Sequence, residues 1–280
     1  MLVELVLAAV TLIVLGIASY TDLRTKEVPD WLSYGFVFAA IGVRAIYSFQ
    51  EGWSILLSGL LGLAVFYLLA LFFYYTNQWG GGDSKLLMGM GAALGITYPF
   101  AESSFTLLWF LLALLLAGGA YGLLWLTVVA FQRRYCLLPE MRVMLGKYKK
   151  IHLGVGFASF FLLGTGVFIN SLLLILVFII ALYYLLMFLI AAQNCCFIEE
   201  KETKHLTEGD WLAEDIVVHG KKIIKKKTLA QEDISKLHKH NISSVLIKEG
   251  IPFVPSFLIA YLILLFGKDL VPSVVGRIFG

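Results

Sequence analysis

Long apolar runs separated by short polar segments dominate the chain. Several of them approach or exceed the roughly 20 apolar residues that an α-helix needs to cross a bilayer. The pattern predicts an all-α polytopic membrane protein with about eight spans, of which the fourth is short and rich in glycine. The predicted spans are Leu2–Tyr20, Trp31–Phe49, Trp53–Tyr75, Leu86–Tyr98, Phe105–Phe131, Leu153–Asn170, Ser171–Ala192 and Ile251–Phe266.

The composition agrees with a membrane protein. Hydrophobic residues make up 60% of the chain and charged residues 15%, whereas a soluble domain carries about 25% charged residues. The short alternating segments of a transmembrane barrel are not visible. The net charge of +3 gives no reason to expect a nucleic-acid partner.

The distribution of Lys and Arg predicts the orientation in the cell membrane. The loop over residues 132–150 holds six basic residues against Glu140 alone, which places it in the cytoplasm. Counting back through the spans puts residues 21–30 and 80–85 on the same side and the N-terminus outside. The opposite loops are expected to hold only Arg44, Glu51 and Glu102. MLVELVLAAV lacks a basic segment and carries Glu4, so we expect a retained first span.

A polar segment interrupts the apolar pattern before the last span. Residues 199–249 contain ten Lys, ten acidic residues and four of the five His. The predicted organisation is a transmembrane core over 1–193, a small cytoplasmic α+β insert over 194–250, and a C-terminal helix and tail over 251–280.

Within the insert, DIVVHGKKIIKKK predicts a hairpin that turns near His219 and Gly220, and SSVLIK predicts a further strand. Thr228 and Gln231 are expected to form a capping box for a helix over Gln231–His240. The lysine run favours a solvated strand face over a patch for anionic lipid headgroups, and substrate docking is a third alternative.

Cysteine and histidine give no metal site. Cys136, Cys195 and Cys196 form neither a zinc framework nor a recognisable disulfide pattern, and we expect them to be small apolar fillers. His238 and His240 are two positions apart, so a helix points their side chains in different directions. We therefore expect neither metal nor cofactor.

Two aspartates near apolar runs are candidates for chemistry. Asp22 directly follows the first span, and Asp83 precedes the fourth. If two such carboxyl groups meet at a partly desolvated site, they share one proton. The ionised member then draws a proton from water, and the protonated member polarises a carbonyl, which suits amide hydrolysis. The alternative is that each aspartate is a helix cap or a solvated marker of topology.

The residues beside Asp83 suggest how a substrate approaches. Gly80, Gly81 and Gly82 remove side chains and permit unusual backbone angles, so an extended substrate can come close. Lys85 is expected at the headgroups. Gly89, Gly91 and Gly95 favour close helix packing.

Two other acidic residues are rivals for the first catalytic position. Glu27 and Asp30 lie a few residues beyond Asp22. Asp30 follows Val28-Pro29, so it favours a cap for the second span.

The stretch GGGDSKLLMGMGAALG resembles the GxGD motif of type IV prepilin peptidases and archaeal preflagellin peptidases, a family of intramembrane aspartic proteases. Gly80, Gly82, Asp83, Lys85 and Gly91-Ala92 match that motif. Asp22 followed by Val28-Pro29 resembles the family's other element, 61 positions earlier. GIPFVPSFLIAYL is similar to the closing helix of archaeal members.

The resemblance implies that Asp22 and Asp83 are the catalytic dyad. It implies substrates with a short basic leader before a hydrophobic helix, as in prepilin and preflagellin precursors, cleaved at the cytoplasmic boundary of the lipid bilayer. Glu27 and Asp30 are then expected to attract the leader's lysines. The chain lacks the cysteine-pair domain of bacterial members, so their methyltransferase activity is not expected, and archaeal members are the nearer match.

Two alternatives remain open. A transporter or assembly subunit would use Asp22 and Asp83 to bind ions or protons, although the repeated halves of many transporters are not visible. A presenilin-like protease pairs GxGD with a Tyr-Asp sequence, whereas here Thr21 separates Tyr20 from Asp22.

Overall fold

The computed structural model describes residues 2–76, 78–100, 102–164, 171–218, 221–225, 227–248 and 250–267. Contacts group the described residues into two units, Met1–Leu123 with Ile251–Gly280, and Leu124–Gly250. The helices are α1 (Leu2–Thr25), α2 (Asp30–Glu51), α3 (Ser54–Tyr75), α4 (Gly81–Leu94), α5 (Thr106–Gln132), α6 (Arg134–Lys147), α7 (Lys149–Gly164), α8 (Ser171–Cys196), α9 (Gln231–Lys239) and α10 (Val254–Phe266). The strands are β1 (Ile198–Glu202), β2 (Trp211–Leu212), β3 (Ile216–Val218), β4 (Lys221–Ile224) and β5 (Ser244–Lys248).

Local sequence explains the turns between the first helices. Lys26 directly follows α1; its φ of 57° is left-handed, and its N–H donates to the Asp22 carbonyl at 2.8 Å. Pro29 then occupies the N-cap position of α2, directly before its first residue Asp30, where the missing N–H of proline costs no helical hydrogen bond. Gly52 ends α2 with a φ of 106°, a conformation that favours glycine.

The protein is a multi-pass membrane protein of mostly helical structure. Within the described ranges, five helices are long and apolar enough to cross a bilayer: α1, α2, α3, α5 and residues Val177–Cys196 of α8. The predicted count of eight spans is not confirmed, since α4, α7 and α10 are shorter. The junction predicted between the sixth and seventh spans lies outside the described residues.

The core of the first unit surrounds α4, which packs against α1, α2 and α3. Leu86, Leu87 and Met90 of α4 are completely buried. A side chain at Gly91 would lie 2.5 Å from the Gly62 carbonyl oxygen and 2.7 Å from Phe66 Cβ. Glycine is therefore required there by space, and α3 and α4 approach each other backbone to backbone.

Arg44 is buried inside this unit, and the prediction that it lies on a loop is wrong. Its Nε donates to the Ala92 carbonyl at 2.8 Å, one terminal nitrogen donates to the Ala93 carbonyl at 2.7 Å, and the other to Ser58 Oγ at 2.8 Å. The last carbonyls of a helix have no partner within it. Arg44 satisfies two of them in α4 and places a positive charge at the negative end of the helix dipole.

Replacing Gly91 with alanine should destabilise the first unit by about 1–3 kcal/mol, because the new methyl group overpacks the contact between α3 and α4. Gly119→Ala on α5 is the matched control, since nothing lies within 4 Å of the position that its new methyl group would occupy, and alanine favours helix. Thermal unfolding of the purified protein should show a lower midpoint for Gly91→Ala alone. Equal midpoints would contradict the close packing.

The second unit contains a helix where a loop was expected. Residues 134–147 form α6, which packs against α8. This packing brings Cys136 to Cys195 in a disulfide, 59 positions apart in the chain. The prediction of no disulfide is therefore wrong, because cysteine spacing does not reveal which helices pack together. Cys196 is free and buried, as expected.

The described part of the insert holds two small antiparallel sheets and one α-helix. β1 and β2 flank β5, and β3 pairs with β4. The predicted hairpin and the SSVLIK strand are confirmed, although the turn residues His219 and Gly220 lie outside the described residues. β1 and β2 were missed, because they are short or rich in charge. Leu212 and Leu237 are completely buried in the insert's own core.

The cap of α9 differs from the prediction. Thr228 pairs with Trp211 instead of capping the helix, and Asp233 Oδ2 accepts the Ala230 N–H at 3.1 Å. Lys227 Nζ lies 2.7 Å from the same oxygen. Burial alone would raise the pKa of Asp233, but the bonds from Lys227 and Ala230 outweigh it and hold the pKa below its usual value.

Because the pKa of Asp233 is lower in the folded state, its carboxylate stabilises the insert at pH values above the unfolded pKa of about 3.9. This stabilisation is lost as the pH falls through the folded pKa. We expect the protection of peptides from α9 against hydrogen–deuterium exchange, relative to the intrinsic rate at each pH, to fall below about pH 4 in the full-length protein. Asp233→Asn should accelerate exchange already at pH 7. Glu232→Gln, a change at the exposed neighbour, is the control and should not. Slow exchange in Asp233→Asn would show that the carboxylate is not needed.

Candidate active site

Asp22 lies near the C-terminal end of α1, where it is buried with 5% exposure. Its Oδ2 accepts the N–H of Val254 at 2.8 Å, and the Phe253 N–H donates to the same carboxylate. Phe253 itself supplies no side-chain cap to α10. Asp22 therefore caps a helix that starts 232 positions further along the chain, where the helix dipole favours a negative charge.

An aromatic cluster surrounds this cap. Trp79 lies 5.5 Å from the ring of Phe253 and 5.6 Å from that of Phe257, between centroids. Phe73 stacks on Trp79 at 4.4 Å. Because these rings come from α3, from α10 and from the residues preceding α4, they hold the start of α4 close to the start of α10.

Asp83 lies in the first turn of α4, so the helix starts earlier than the predicted fourth span. The Gly80 N–H donates to its carboxylate, while the Ser84 N–H donates to the Gly80 carbonyl at 3.1 Å. An acidic residue in a first turn is favoured by the dipole. The side chain is held at the helix start and is half-buried.

The structure brings the two aspartates into one region. α1 packs against α4, and the charge of Asp22 acts on the carboxyl group of Asp83. Asp22 also interacts electrostatically with the phenol of Tyr121 on α5. A negative charge on one carboxyl group therefore disfavours ionisation of the other.

The three glycines before Asp83 differ from their expected role. None of Gly80, Gly81 and Gly82 has a left-handed φ, and Gly80 is extended, with a φ of −70°. Their contribution is to leave room for neighbouring parts of the chain. A side chain at Gly82 would lie 3.3 Å from Val28 Cβ, so this glycine lets the start of α4 lie against the segment that follows α1.

Lys85 and Asp30 form a pair that links α4 to α2. Lys85 Nζ lies 2.6 Å from Asp30 Oδ1 and 5.2 Å from the centroid of the Tyr34 ring. Asp30 is the first residue of α2, and Pro29 occupies the cap position, so the predicted capping role is replaced by this ion pair. Glu27 is exposed.

Sequence reasoning missed the groups that orient Asp22. The N–H groups of Phe253 and Val254 carry no signal of their own, and Tyr121 lies in an apolar helix. One available signal was Pro255, which favours a helix start at this point. Within the described ranges no group of three or more metal-ligating side chains is arranged to hold a metal ion.

Comparison with known proteins finds similarity to peptidases over part of the chain. Residues 9–123 match the model of the Type IV leader peptidase family. A preflagellin peptidase of Methanococcus maripaludis is 35% identical over 95 residues, which cover 32% of this chain and 38% of that protein. An uncharacterized protein of Methanocaldococcus jannaschii is 48% identical over 40 residues, 14% of this chain and 16% of that protein.

The fold and the paired carboxyl groups define a multi-pass membrane protein with a candidate acid–base site. Residues 9–123 are thus similar to the type IV leader peptidase family, a family of peptidases. The match contains Asp22 and Asp83 and ends at the boundary of the first unit. The aligned segment spans little more than a third of the preflagellin peptidase.

The capping role of Asp22 is tested by comparing alanine with asparagine at this position. Both remove the charge, but only asparagine keeps an acceptor for the Val254 N–H. We expect Asp22→Ala to be less stable than Asp22→Asn by about 0.5–2 kcal/mol, the usual value of a helix cap. Hydrogen exchange of a peptide over residues 253–261 should be faster in the alanine variant. Equal exchange in both would show that the bond does not hold α10.

Proposed function

We propose that the chain is an aspartic endopeptidase that removes short basic leader peptides from prepilin- or preflagellin-like precursors. The observation that carries the proposal is the convergence of Asp22 and Asp83 from separate helices in a largely buried setting. The match of residues 9–123 to a family of peptidases supports proteolysis. The similarity to a preflagellin peptidase supports this substrate class.

Asp22 is the better candidate for the ionised member of the dyad. Its carboxylate receives two backbone N–H groups from the start of α10, and such bonds favour the charged form. Asp83 receives one, from Gly80. We therefore assign the general base to Asp22 and the general acid to Asp83.

Hydrolysis then needs only water and the shared proton. Asp22 takes a proton from water as the water oxygen attacks the scissile carbonyl carbon, and Asp83 gives its proton to the carbonyl oxygen. Collapse of the tetrahedral intermediate breaks the C–N bond. The proton held by Asp22 passes to the leaving nitrogen, and Asp83 recovers the proton from the hydroxyl group.

The surroundings of the dyad suit a substrate with a basic leader. Glu27 is exposed, and Asp30 keeps 67% of its side chain exposed although it pairs with Lys85. A lysine of the leader would compete with Lys85 for Asp30 and pair with Glu27. The backbone is open at Gly80 and Gly81, where the atoms nearest to an added side chain would lie 3.6 and 3.9 Å away. This leaves room for an extended substrate.

The proposed location is the cytoplasmic face of the cell membrane, with the N-terminus outside. The basic residues of 132–150 support this orientation. A basic leader remains in the cytoplasm, and the bond before its apolar segment lies at the lipid boundary. The ends of α1 and α4 that carry the dyad would face that boundary.

Asp22→Asn and Asp83→Asn should each reduce cleavage by at least about 10²–10⁴-fold, the usual contribution of a general acid or base. Asp30→Asn, in the neighbouring acidic residue, is the matched control, which should keep the chemical step and weaken only the binding of the basic leader. The measurement co-expresses the full chain with tagged preflagellin and prepilin precursors, follows cleavage by immunoblot and locates the cleaved bond by mass spectrometry.

Cleavage by either dyad variant at the wild-type rate would overturn the aspartic mechanism. Loss of cleavage in Asp30→Asn alone would move the catalytic role to that residue. If the wild-type chain cleaves neither precursor while a preflagellin peptidase does so in parallel, the proposed substrate class is wrong.

A further inference from the structure

We propose that a groove in the second unit binds an anionic phospholipid, with the phosphate at Lys149 and Lys150 and an acyl chain along the groove. The groove has a volume of about 540 Å³ and lies between α6, α7 and α8. The residues that line it are Leu145, Lys149, His152, Leu153, Gly156, Phe157 and Tyr184. This site lies outside the residues of the proposed proteolytic site and does not depend on their function.

The walls of the groove suit a hydrocarbon chain. Phe157 and Leu153 are 74% and 53% exposed, and a side chain at Gly156 would meet nothing within 4 Å. Gly156 therefore leaves the middle of the groove open. Exposed apolar surface of this kind needs a cover, and in a membrane protein the nearest apolar molecules are lipids.

One end of the groove is strongly basic. Lys149 and Lys150 start α7, and four further cations precede them in residues 133–147. None of these six side chains forms an ion pair within the part of the chain that the structure describes. Glu140, the one acidic residue among them, instead accepts a hydrogen bond from Asn194 at 3.5 Å.

The position of the two lysines makes an anion favourable. The first turn of α7 contains no acidic residue, so Lys149 and Lys150 lie at the positive end of the helix dipole without compensation. A phosphate at this point would offset both charges. Clusters of Lys and Arg beside a membrane helix attract anionic headgroups in this way.

Two aromatic residues supply polar groups beside the apolar walls. The His152 imidazole stacks on the Tyr184 ring with 5.6 Å between centroids, and its Nδ1 lies 3.3 Å from the Tyr184 hydroxyl. Side chains with an apolar body and a polar tip suit the boundary between headgroup and acyl chain. The groove thus offers charge, hydrogen-bonding groups and apolar surface in the order that a phospholipid requires.

The test uses the full-length protein in nanodiscs that contain phosphatidylcholine with or without phosphatidylglycerol. After partial delipidation, native mass spectrometry measures the lipid that stays bound. Lys149→Glu with Lys150→Glu reverses both charges, and Gly156→Leu fills the groove while keeping the charge. Lys225→Glu with Lys239→Glu, two exposed lysines of the insert, makes the same change of charge elsewhere.

Wild-type protein should retain phosphatidylglycerol in preference to phosphatidylcholine. Loss of the cations at Lys149 and Lys150 should weaken that retention about thirty-fold. Gly156→Leu should also weaken it. Lys225→Glu with Lys239→Glu should retain phosphatidylglycerol as wild type does. Equal retention of the two lipids, or equal loss in the insert variant, would overturn the proposal. Full retention in Gly156→Leu would show that charge alone binds the headgroup and that the groove holds no acyl chain.

Size-exclusion chromatography and thermal unfolding check that each variant is folded. If Lys149→Glu with Lys150→Glu fails to fold, Lys149→Met with Lys150→Met replaces it, because methionine keeps the apolar stem and favours helix. Full retention of phosphatidylglycerol by this milder variant would equally overturn the proposal.

Discussion

The first unit depends on one constraint, which is that a charged group buried among apolar helices must have partners. Asp22 and Arg44 are both nearly inaccessible to solvent. Each binds backbone groups at a helix end that have no hydrogen-bond partner within the helix. Asp22 accepts N–H groups at the start of α10, and Arg44 donates to carbonyls at the end of α4. These bonds give partners both to the buried charges and to the backbone groups at the helix ends. They therefore fix the positions of α4 and α10.

Close packing then determines where Asp83 can be. α4 is short, and its glycines allow α3 and α2 to approach it more closely than side chains would permit. Arg44 holds one end of the helix, and the contact of Gly82 with Val28 holds the other. The carboxyl group in its first turn is therefore brought towards Asp22 by packing along the whole helix, and no single contact between the two aspartates is needed to do it.

The second unit follows different rules. Its insert has a small apolar core around Leu212 and Leu237. At the start of α9, Asp233 pairs with Lys227 and accepts the N–H of Ala230. The basic segment before α7 carries charge that no described acidic residue neutralises. This charge lies beside an apolar groove, which is why a lipid is a more suitable occupant than a soluble anion.

The sequence by itself determined the class of protein, because long apolar runs have few stable structures other than membrane-spanning helices. It also indicated Asp22 and Asp83, since carboxyl groups beside such runs are rare and costly, and it indicated the α+β insert through its change of composition. Only the tertiary structure decided that Arg44 is buried, that residues 134–147 form a helix joined to α8 by a disulfide, and that α10 orients Asp22. Each of these depends on contacts between residues far apart in the chain, and local periodicity contains no information about which distant helices pack together.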